Sequence, residues 1–391
     1  MSNNWNVVPF TEAVDICDTF RKPINSSERA SRIKGKEQSE LYPYYGATGQ
    51  VGFIDDYITD GEYVLLGEDG APFLDAFSKK AYIISGKTWV NNHAHVLKSK
   101  TNNKFLCYYL NSFNYKGYVS GTTRLKLTQA EMKRIPVPVP PLSEQERIVS
   151  RIEELFSQLD AGVETLKKTK AQLAVYRQAV LKEAFESVIP ESDTCNVEDV
   201  CKDIKVGIVI KPAQYYTSAD VGVRAFRSAN VREFAVNNSD WVYLTKAGHE
   251  ANLRSEIHTG DVLVVRSGYP GTACVVPPTY NGCNAIDILI AVPYAEKILP
   301  EYLCAYTNSP LGKRIIQEKK RGVAQAHFNV SGYSKTPIIV PCLETQKRVV
   351  AEIDSRLSVC DSIEQTVDTA LQQAEAMRQS ILKDAFEGKL T

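Results

Sequence analysis

The chain contains nearly the same nine residues twice, as RQAVLKEAF at Arg177–Phe185 and as RQSILKDAF at Arg378–Phe386. Six of the nine positions are identical and the other three are conservative. The two stretches lie 201 residues apart, and the same offset aligns the sequence before them without a gap, starting from Gly121 and Gly322. An internal repeat constrains the whole architecture of a chain. We therefore interpret the sequence as two copies of one architecture. In each copy, a region that differs between the copies is followed by a tail that is similar in both.

Both tails carry apolar residues at steps of three, four or seven, which is typical of a coiled-coil helix. In the first tail, Ser143 stands three residues before Glu146, which predicts a capping box at the helix start. Gly162 weakens this first helix and is a candidate break. The stripes are Ile148, Ile152, Leu155, Leu159, Leu166, Leu173, Tyr176 and Val180, then Val349, Ile353, Cys360, Ile363, Val367, Ala374, Met377 and Ile381.

Two such helices in one chain should pack on each other, and ends joined across a compact domain favour an antiparallel pair. The alternative is that the apolar residues of both tails belong to the hydrophobic cores of globular domains rather than to a coiled coil. The divergent regions contain strand-like runs that end in glycine turns, such as EYVLLGEDG and GDVLVVRSGYPG. The expected fold class is α+β, with two globular α/β domains separated by two long helices that form an antiparallel coiled coil. The expected segments are domain 1 at 1–142, a central helix at 143–188, domain 2 at 189–342 and a C-terminal helix at 343–391.

Composition narrows the class of protein. The 391 residues include 46 basic and 46 acidic side chains, so the net charge is zero and gives no support to nucleic-acid binding by itself. The nine cysteines are scattered, odd in number and without a C-x-x-C pair, which favours reduced thiols in a cytosol and argues against a zinc site. No apolar run approaches the roughly 18 residues of a membrane span. The start, MSNNWNVVPF, lacks the features of a secretory signal.

Positive charge is concentrated at corresponding places in the two copies. The first stretch, between Gly86 and Lys133, has Glu131 as its only acid, and the second has Glu318. Lysines interleaved with Tyr and Asn suit phosphate contact and base-edge reading, although a charge run is more often a solvated face. The basic residues are Lys87, Lys98, Lys100, Lys104, Lys116, Arg124, Lys126 and Lys133, then Lys313, Arg314, Lys319, Lys320, Arg321 and Lys335.

Two local patterns leave alternatives open. Tyr44 and Tyr45, in YPYYGATG, could stack on nucleic-acid bases or form a core-and-turn element. His93 and His95, in NNHAH, lie on one face of a strand and could be a metal pair, but a third ligand is not evident. A structural or DNA-facing role for the histidines is therefore favoured, and no metal site is expected.

Catalytic motifs are missing from the sequence. The ISGKT stretch resembles the end of a phosphate-binding loop, but Ala81 stands where the loop needs glycine. The PPTY stretch at Pro277–Tyr280 resembles the box of amino-methyltransferases, but Val276 precedes it and Thr279 interrupts it. We therefore expect a chain that is not itself an enzyme.

The repeat, together with IPVPVPPLSEQERIV before the first helix, resembles the specificity subunits of type I restriction–modification enzymes. The target-recognition domains of these subunits contain sequence motifs similar to YYGATGQVGFIDDY, EYVLLGEDGAPFLD, WVNNHAHVL and GDVLVVRSGYPG. The resemblance covers nearly the whole chain. It implies two target-recognition domains that each read half of a bipartite, asymmetric DNA site. It also implies that the helices set the spacing and dock two adenine-methyltransferase subunits.

The resemblance further implies partners and cofactors. Restriction–translocase subunits would join the complex, S-adenosylmethionine would be bound by the methyltransferase partner, and ATP and Mg²⁺ by the restriction partner. This chain would bind no cofactor. The same repeated face would dock the two methyltransferases through Arg177, Gln178, Phe185, Arg378, Gln379 and Phe386. The expected DNA-binding residues are Tyr44, Tyr45, Lys87, Asn91, Asn92, His93, Lys116, Arg124 and Lys126, and then Arg227, Arg266, Ser267, Tyr269, Arg321, Gln325 and His327.

Two other functions remain open from the sequence. A stand-alone nuclease or methyltransferase would need the motifs that are missing. A coiled-coil scaffold with two modules that do not bind DNA would show no salt-dependent affinity for DNA, and the zero net charge is compatible with it.

Overall fold

The computed structural model describes residues 5–189, 192–321 and 328–390. The chain divides into two compact units, unit 1 with Met1–Lys167 and Val367–Thr391, and unit 2 with Lys168–Thr366. Within the described residues, no helix combines the length and the apolar character that crossing a membrane requires.

The described residues of unit 1 form ten strands and four short helices, and the long helix α5 begins in this unit. The strands are β1 (Asn6–Pro9), β2 (Val14–Ile16), β3 (Tyr42–Gly46), β4 (Gly49–Ile54), β5 (Thr59–Asp60), β6 (Tyr63–Gly67), β7 (Ala81–Ile84), β8 (Lys87–Val90), β9 (Ala94–Ser99) and β10 (Pro136–Val139). The helices are α1 (Phe10–Ala13), α2 (Ser26–Ile33), α3 (Asn103–Ser112), α4 (Gln129–Met132) and α5 (Leu142–Glu186).

Unit 2 repeats this order with a few additional elements. Its strands are β11 (Asp193–Asn196), β12 (Cys201–Val206), β13 (Tyr216–Thr217), β14 (Val223–Phe226), β15 (Val231–Arg232), β16 (Ala235–Val236), β17 (Val242–Leu244), β18 (Val262–Val265), β19 (Ala273–Val275), β20 (Asn284–Ala285), β21 (Ile288–Pro293) and β22 (Pro337–Val340). Its helices are α6 (Val197–Val200), α7 (Lys246–Glu250), α8 (Pro300–Asn308), α9 (Pro310–Arg321), α10 (Val330–Ser334) and α11 (Leu343–Phe386), the last of which ends in unit 1.

The main sheet has the same strand order in the two units. One four-stranded sheet has the order β2-β9-β6-β7 in unit 1 and β12-β21-β18-β19 in unit 2. A second sheet, β4-β3-β8-β5 or β13-β17-β14-β20, contains one parallel pair in each unit, β3 with β8 and β14 with β20. An antiparallel ribbon, β1 with β10 or β11 with β22, joins the first strand of each domain to its last. The sequence repeat therefore corresponds to a repeat of the fold.

The central strand of each main sheet is buried on both faces, as its continuous apolar sequence predicts. In β6, Val64 and Leu66 belong to one cluster, with residues of α3, and Leu65 belongs to another. In β18, Val264 packs in a cluster with residues of α8 and Leu263 in a separate one. Successive side chains of a strand point to opposite faces. Each main sheet therefore lies between a helix and further strands.

The first long helix is continuous over Leu142–Glu186, so the expectation of a break at Gly162 is wrong. The predicted cap at Ser143 is also misplaced. The backbone amides of Glu144 and Gln145 both donate to the carbonyl of Pro141, so the helix begins before Ser143. A proline suits this position, because the first amides of a helix have no partner inside it.

The two long helices pair in antiparallel fashion within each unit. In unit 1, Ile152 of α5 shares a buried cluster with Leu382 of α11. In unit 2, Phe185 of α5 shares a cluster with Ile353 of α11. Later residues of α5 therefore meet earlier residues of α11, which confirms the antiparallel coiled coil expected from the stripes.

Candidate nucleic-acid interface

The turn after β6 collects several of the predicted DNA-binding residues around one carboxylate. Asp69 Oδ1 lies 2.6 Å from His93 Nδ1 and 2.9 Å from Arg124 Nη2. Gly70 ends the turn with a φ of +71°, a conformation that favours glycine. His93 and Arg124 come from places far apart in the sequence, and the structure brings them together on Asp69.

Glu68, the residue before Asp69, holds a second set of positive charges. Its carboxylate forms ion pairs with Arg21 and with Lys126, whose Nζ lies 3.3 Å away. Lys126 is the more exposed of these two partners, so it can also reach a phosphate. The turn therefore combines two acids with exposed cations, a mixture that can accept as well as donate hydrogen bonds.

A buried histidine lies next to this turn. His95 is fully buried, with Nδ1 2.8 Å from Asp18 Oδ2 and Nε2 3.1 Å from the Leu127 carbonyl. The ring is therefore held between two polar partners from distant parts of the sequence. Burial acts to raise the pKa of Asp18, but the hydrogen bond and charge of His95, the Val96 amide and Arg21 together lower it below its ordinary value. The role of His95 is therefore structural.

The neighbouring asparagines differ in their exposure. Asn91 is buried, and its Oδ1 accepts a hydrogen bond from the amide of His93 at 2.8 Å. It therefore shapes the loop that presents His93 rather than offering its own amide to a base, which corrects its assignment as a base reader. Asn92 is exposed and remains a candidate reader.

The two tyrosines of YPYYGATG differ in their burial. Tyr44 is only 3% exposed and lies in a cluster with Ile54 and Trp89. Its base-stacking assignment is therefore wrong, and the core-and-turn alternative holds. Tyr45 is half-buried, and its ring packs against Tyr82 with centroids 5.8 Å apart.

Lys87 and Lys116 are exposed but have other neighbours. Lys87 Nζ lies 4.6 Å from the centre of the Tyr57 ring. Lys116 follows α3, and its backbone amide donates to Asn114 Oδ1 at 3.0 Å. Both can meet a phosphate, but the structure shows neither in contact with Asp69.

In unit 2 the turn after β18 carries three of the predicted residues. Arg266 Nη1 lies 3.3 Å from Asp287 Oδ1, and Ser267 Oγ lies 3.4 Å from Asp287 Oδ2. Tyr269 is 85% exposed. The turn borders a cavity of about 1030 Å³. Its lining includes Ser228, Arg232, Glu233, Ser267, Tyr269 and Lys313.

Arg227 and Arg266 share a feature that stands out within the described parts of the chain. Arg227 binds Asp240, Arg266 binds Asp287, and yet the Nε atom of each arginine is buried without a hydrogen-bond partner. Buried donors are normally satisfied, so such atoms call for an explanation. The other residues predicted to bind DNA in this unit lie outside the described part of the chain, since Gln325 and His327 fall in 322–327 and the Arg321 side chain is not described.

The residues proposed to bind partners are largely used inside the chain. Phe185 is 1% exposed and packs against Tyr302 and Tyr306. Arg177 pairs with Asp361, and Arg378 with Asp160. The docking role of Phe185 is therefore corrected, because a buried ring cannot meet another protein.

Two further members of the repeated motif keep some exposure. Phe386 is half-buried against Phe105 and Tyr109. Gln178 and Gln379 are half-exposed at equivalent places on α5 and α11. These two glutamines therefore keep part of their surface free to contact another protein.

Sequence reasoning missed the acids of the interface. The sequence predicts Glu68 and Asp69 only as the end of a strand, and it gives no signal for Asp18 and Arg21. A partial signal is present in the sequence, because GEDG and VRSG each follow an apolar, strand-like run. No metal-binding group of three His, Cys, Asp or Glu side chains is found among the described residues.

Comparison with known proteins connects this geometry to a family. Residues 4–174 match the family model described as the type I restriction modification DNA specificity domain. A protein of Haemophilus influenzae named as a type I restriction enzyme specificity subunit is 28% identical over 377 residues, which cover 94% of this chain and 91% of that protein. A protein of Mycoplasma pneumoniae named as a type I specificity subunit is 30% identical over 350 residues, which cover 87% and 86%.

Solved structures support the fold. A chain from a study of complex assembly and conformational transition of the type I R-M system superposes with a TM-score of 0.72 at 16% identity, over 99% of this chain and 98% of that chain. The HsdS subunit of Thermoanaerobacter tengcongensis gives a TM-score of 0.51 at 16% identity, over 99% and 97%. At this identity the likeness concerns the fold alone.

Proposed function

Because this chain belongs to the family of type I restriction–modification specificity subunits, we propose that its two α/β domains each read one half of a split, asymmetric DNA site. The observation that carries the proposal is the repeated sheet order, β2-β9-β6-β7 and β12-β21-β18-β19, with different polar residues in the turns after β6 and β18. Two different half-sites require one scaffold that presents different side chains at the same place. Function on such scaffolds usually lies in the loops.

In domain 1, the exposed cations supply phosphate contacts and the neighbouring polar groups meet base edges. The side chains of Arg124 and Lys126 are at least half exposed, even though each pairs with a carboxylate. Lys87 and Lys116 add charge at separate points of the surface. His93 and Asn92 remain the proposed readers. Phosphate contacts position a protein on DNA and base contacts give its specificity.

In domain 2, Arg266, Ser267 and Tyr269 form the proposed reading turn. Arg227, at the end of β14, is a further candidate. Arginine suits this role because its guanidinium bonds guanine in bidentate fashion. Arg321, Gln325 and His327 stay proposals from the sequence.

We further propose that the paired helices set the spacing between the half-sites and dock two methyltransferase subunits. Gln178 in unit 2 and Gln379 in unit 1 are equivalent, half-exposed residues of the two helices, which supports this proposal. The methyltransferase partner would bind S-adenosylmethionine and methylate adenine N6. Restriction subunits that use ATP and Mg²⁺ would join the same complex, in the cytoplasm. This chain would itself be non-catalytic.

Sequencing of methylated genomic DNA tests the proposal. The host carries the methyltransferase gene of the same system, with or without the gene for this chain. We expect one bipartite adenine-methylated motif that appears only when this chain is present. Absence of any such motif would favour the coiled-coil scaffold, and methylation by the purified chain without a partner would show an enzyme.

Measuring DNA binding by the assembled complex at several salt concentrations distinguishes a DNA-reading subunit from a scaffold that does not bind DNA. A DNA-reading subunit predicts an affinity that falls linearly in a plot of log K against log salt, because phosphate contacts release counterions. The matched control is a complex in which Arg124 and Lys126 are both changed to Gln. Its slope should be smaller by about 2, since each lost contact removes roughly one counterion.

A further inference from the structure

The turn after β6 and the turn after β18 occupy the same place in the two domains. In unit 1, Gly67 of β6 pairs with Ala94 of β9, and in unit 2, Val265 of β18 pairs with Ile288 of β21. Glu68 and Arg266, the next residues, therefore lie at equivalent positions. So do His93 and Asp287, which precede Ala94 and Ile288.

A backbone contact gives the same equivalence independently. The amide of Leu127 donates to the carbonyl of Glu68 at 2.7 Å, and the amide of Phe328 donates to the carbonyl of Arg266 at 3.2 Å. Leu127 and Phe328 are separated by the repeat offset of 201. The register of the sheets and the sequence repeat thus agree.

The two domains differ in whether the turn or the residue that faces it supplies the acidic side chain. In unit 1 the turn supplies the acid, Asp69, which accepts from His93 at 2.6 Å. In unit 2 the residue equivalent to His93 is the acid, Asp287, and the turn supplies the cation, Arg266, at 3.3 Å. Ser267, the residue equivalent to Asp69, also contacts Asp287, at 3.4 Å. The turn and the residue that faces it are therefore in polar contact in both domains, with the acid on the turn in unit 1 and on the facing residue in unit 2.

We propose that Asp69 is a base-reading residue of domain 1, which accepts a hydrogen bond from the amino group of a cytosine in the major groove. This inference rests on the proposed function. Carboxylates read cytosine N4 because that group is a donor, whereas arginine reads the acceptors of guanine. Asp69 and Arg266, which lie one position apart in the equivalent turns, are then the readers that the two domains present to their different half-sites.

The surroundings of Asp69 suit this role better than those of Glu68. The Glu68 side chain is 16% exposed and is held by Arg21 and Lys126. The Asp69 side chain is 24% exposed, and both of its contacts, from His93 and Arg124, reach Oδ1. Oδ2 is the oxygen to which a base can donate. His93 and Arg124 fix the orientation of the carboxylate, as precise hydrogen-bond readout requires.

The test compares Asp69→Asn with Asp56→Asn, the loss of an exposed acid elsewhere in unit 1. Each variant is expressed with its methyltransferase partner, and the methylated motif is sequenced. Asp69→Asn should lower the preference for cytosine at one position of one half-site by roughly 5- to 150-fold. Adenine should gain there, because asparagine reads adenine. Asp56→Asn should keep the original motif.

A second variant gives a result that loss of folding cannot imitate. It carries Glu68→Arg, Asp69→Ser and His93→Asp together, which converts the turn of domain 1 to the constellation of domain 2. Guanine should then replace cytosine at that position. The inference is overturned if Asp69→Asn leaves the preference as unchanged as Asp56→Asn does. A wild-type complex that methylates no motif would instead refute the proposed function.

Discussion

Arg177 Nη2 of α5 lies 2.5 Å from Asp361 Oδ1 of α11, within unit 2. The residues one repeat away, Arg378 and Asp160, form the same ion pair within unit 1. Each helix therefore supplies the arginine once and the aspartate once. The repeated tails encode the register of an antiparallel helix pair, and much of the RQ-x-x-LK-x-AF motif serves the fold of the chain itself.

Charge reversal at this pair tests its part in the register. Asp361→Arg places two guanidinium groups together and should lower the free energy of unfolding by about 1 kcal/mol, since the pair is partly exposed. Adding Arg177→Asp should restore most of that loss. The same substitutions at Arg151 and Glu154, an exposed pair within one helix, serve as the control. If thermal unfolding shows that the double variant is no more stable than Asp361→Arg alone, the ion pair does not contribute to the helix register.

Truncation of the two repeated phenylalanines should have unequal effects. Phe185 is enclosed by Tyr302 and Tyr306, so Phe185→Ala should cost about 3–5 kcal/mol. Phe386 is only half-buried, so Phe386→Ala should cost clearly less. Denaturant unfolding of both variants, with Phe→Leu at each site as the volume control, measures the difference. Equal losses would show that burial does not distinguish the two copies.

Asp18 should make the stability of unit 1 depend on acid. The lowered pKa of its carboxyl means that the charged form stabilises the fold. This stabilisation is complete above the unfolded pKa of about 3.9 and is lost as the pH falls through the lower, folded pKa. The difference in melting temperature between wild type and Asp18→Asn should therefore shrink from pH 6 to pH 3. A difference that stays constant over this range would contradict the assignment, and Asp56→Asn is the control.

Matched insertions in both helices test whether the helix pair is a ruler. The units divide between Lys167 and Lys168 and between Thr366 and Val367, so four residues inserted at both places keep every helix contact within each unit. Four residues add roughly 6 Å and little more than one helical turn. The unspecified centre of the methylated motif should lengthen by one or two base pairs, while both half-sites stay the same.

An insertion in α5 alone provides the contrast for the ruler. Four residues near Thr169 would move Arg177 out of register with Asp361 if Asp160 keeps Arg378. We expect lower stability or lower activity for this variant. A doubly inserted chain that stays active with an unchanged centre would show that something other than the helices measures the gap.

The repeat and the helices could be predicted because their signals are local. The stripe from Ile148 to Val180 has a helical period, and α5 covers all of it. The apolar run at Val262–Val265 is a strand for a similar reason, since every residue in it is buried. The break expected at Gly162 did not occur, because the cost of one glycine, about 1 kcal/mol, is small beside the packing of a long helix.

The parts of the site that sequence reasoning missed depend on contacts between distant residues. Nothing near Tyr44 in the sequence shows that Trp89 lies beside it in the core. Nothing near Asp69 shows that Arg124 and His93 converge on it. Likewise, the repeat places phenylalanine at both 185 and 386 because both side chains pack inside the chain. A repeat seen in the sequence alone cannot distinguish such packing from a docking surface.

The most direct test of the account exchanges one reading domain. Strands β11 and β22 pair with each other, so the segment Asp193–Val340 begins and ends in one ribbon and can be replaced by that of another family member. Sequencing of methylated DNA should then show one half-site changed, with the other half-site and the length of the centre retained. A motif in which both half-sites change together, or neither does, would contradict two independent readers on one chain.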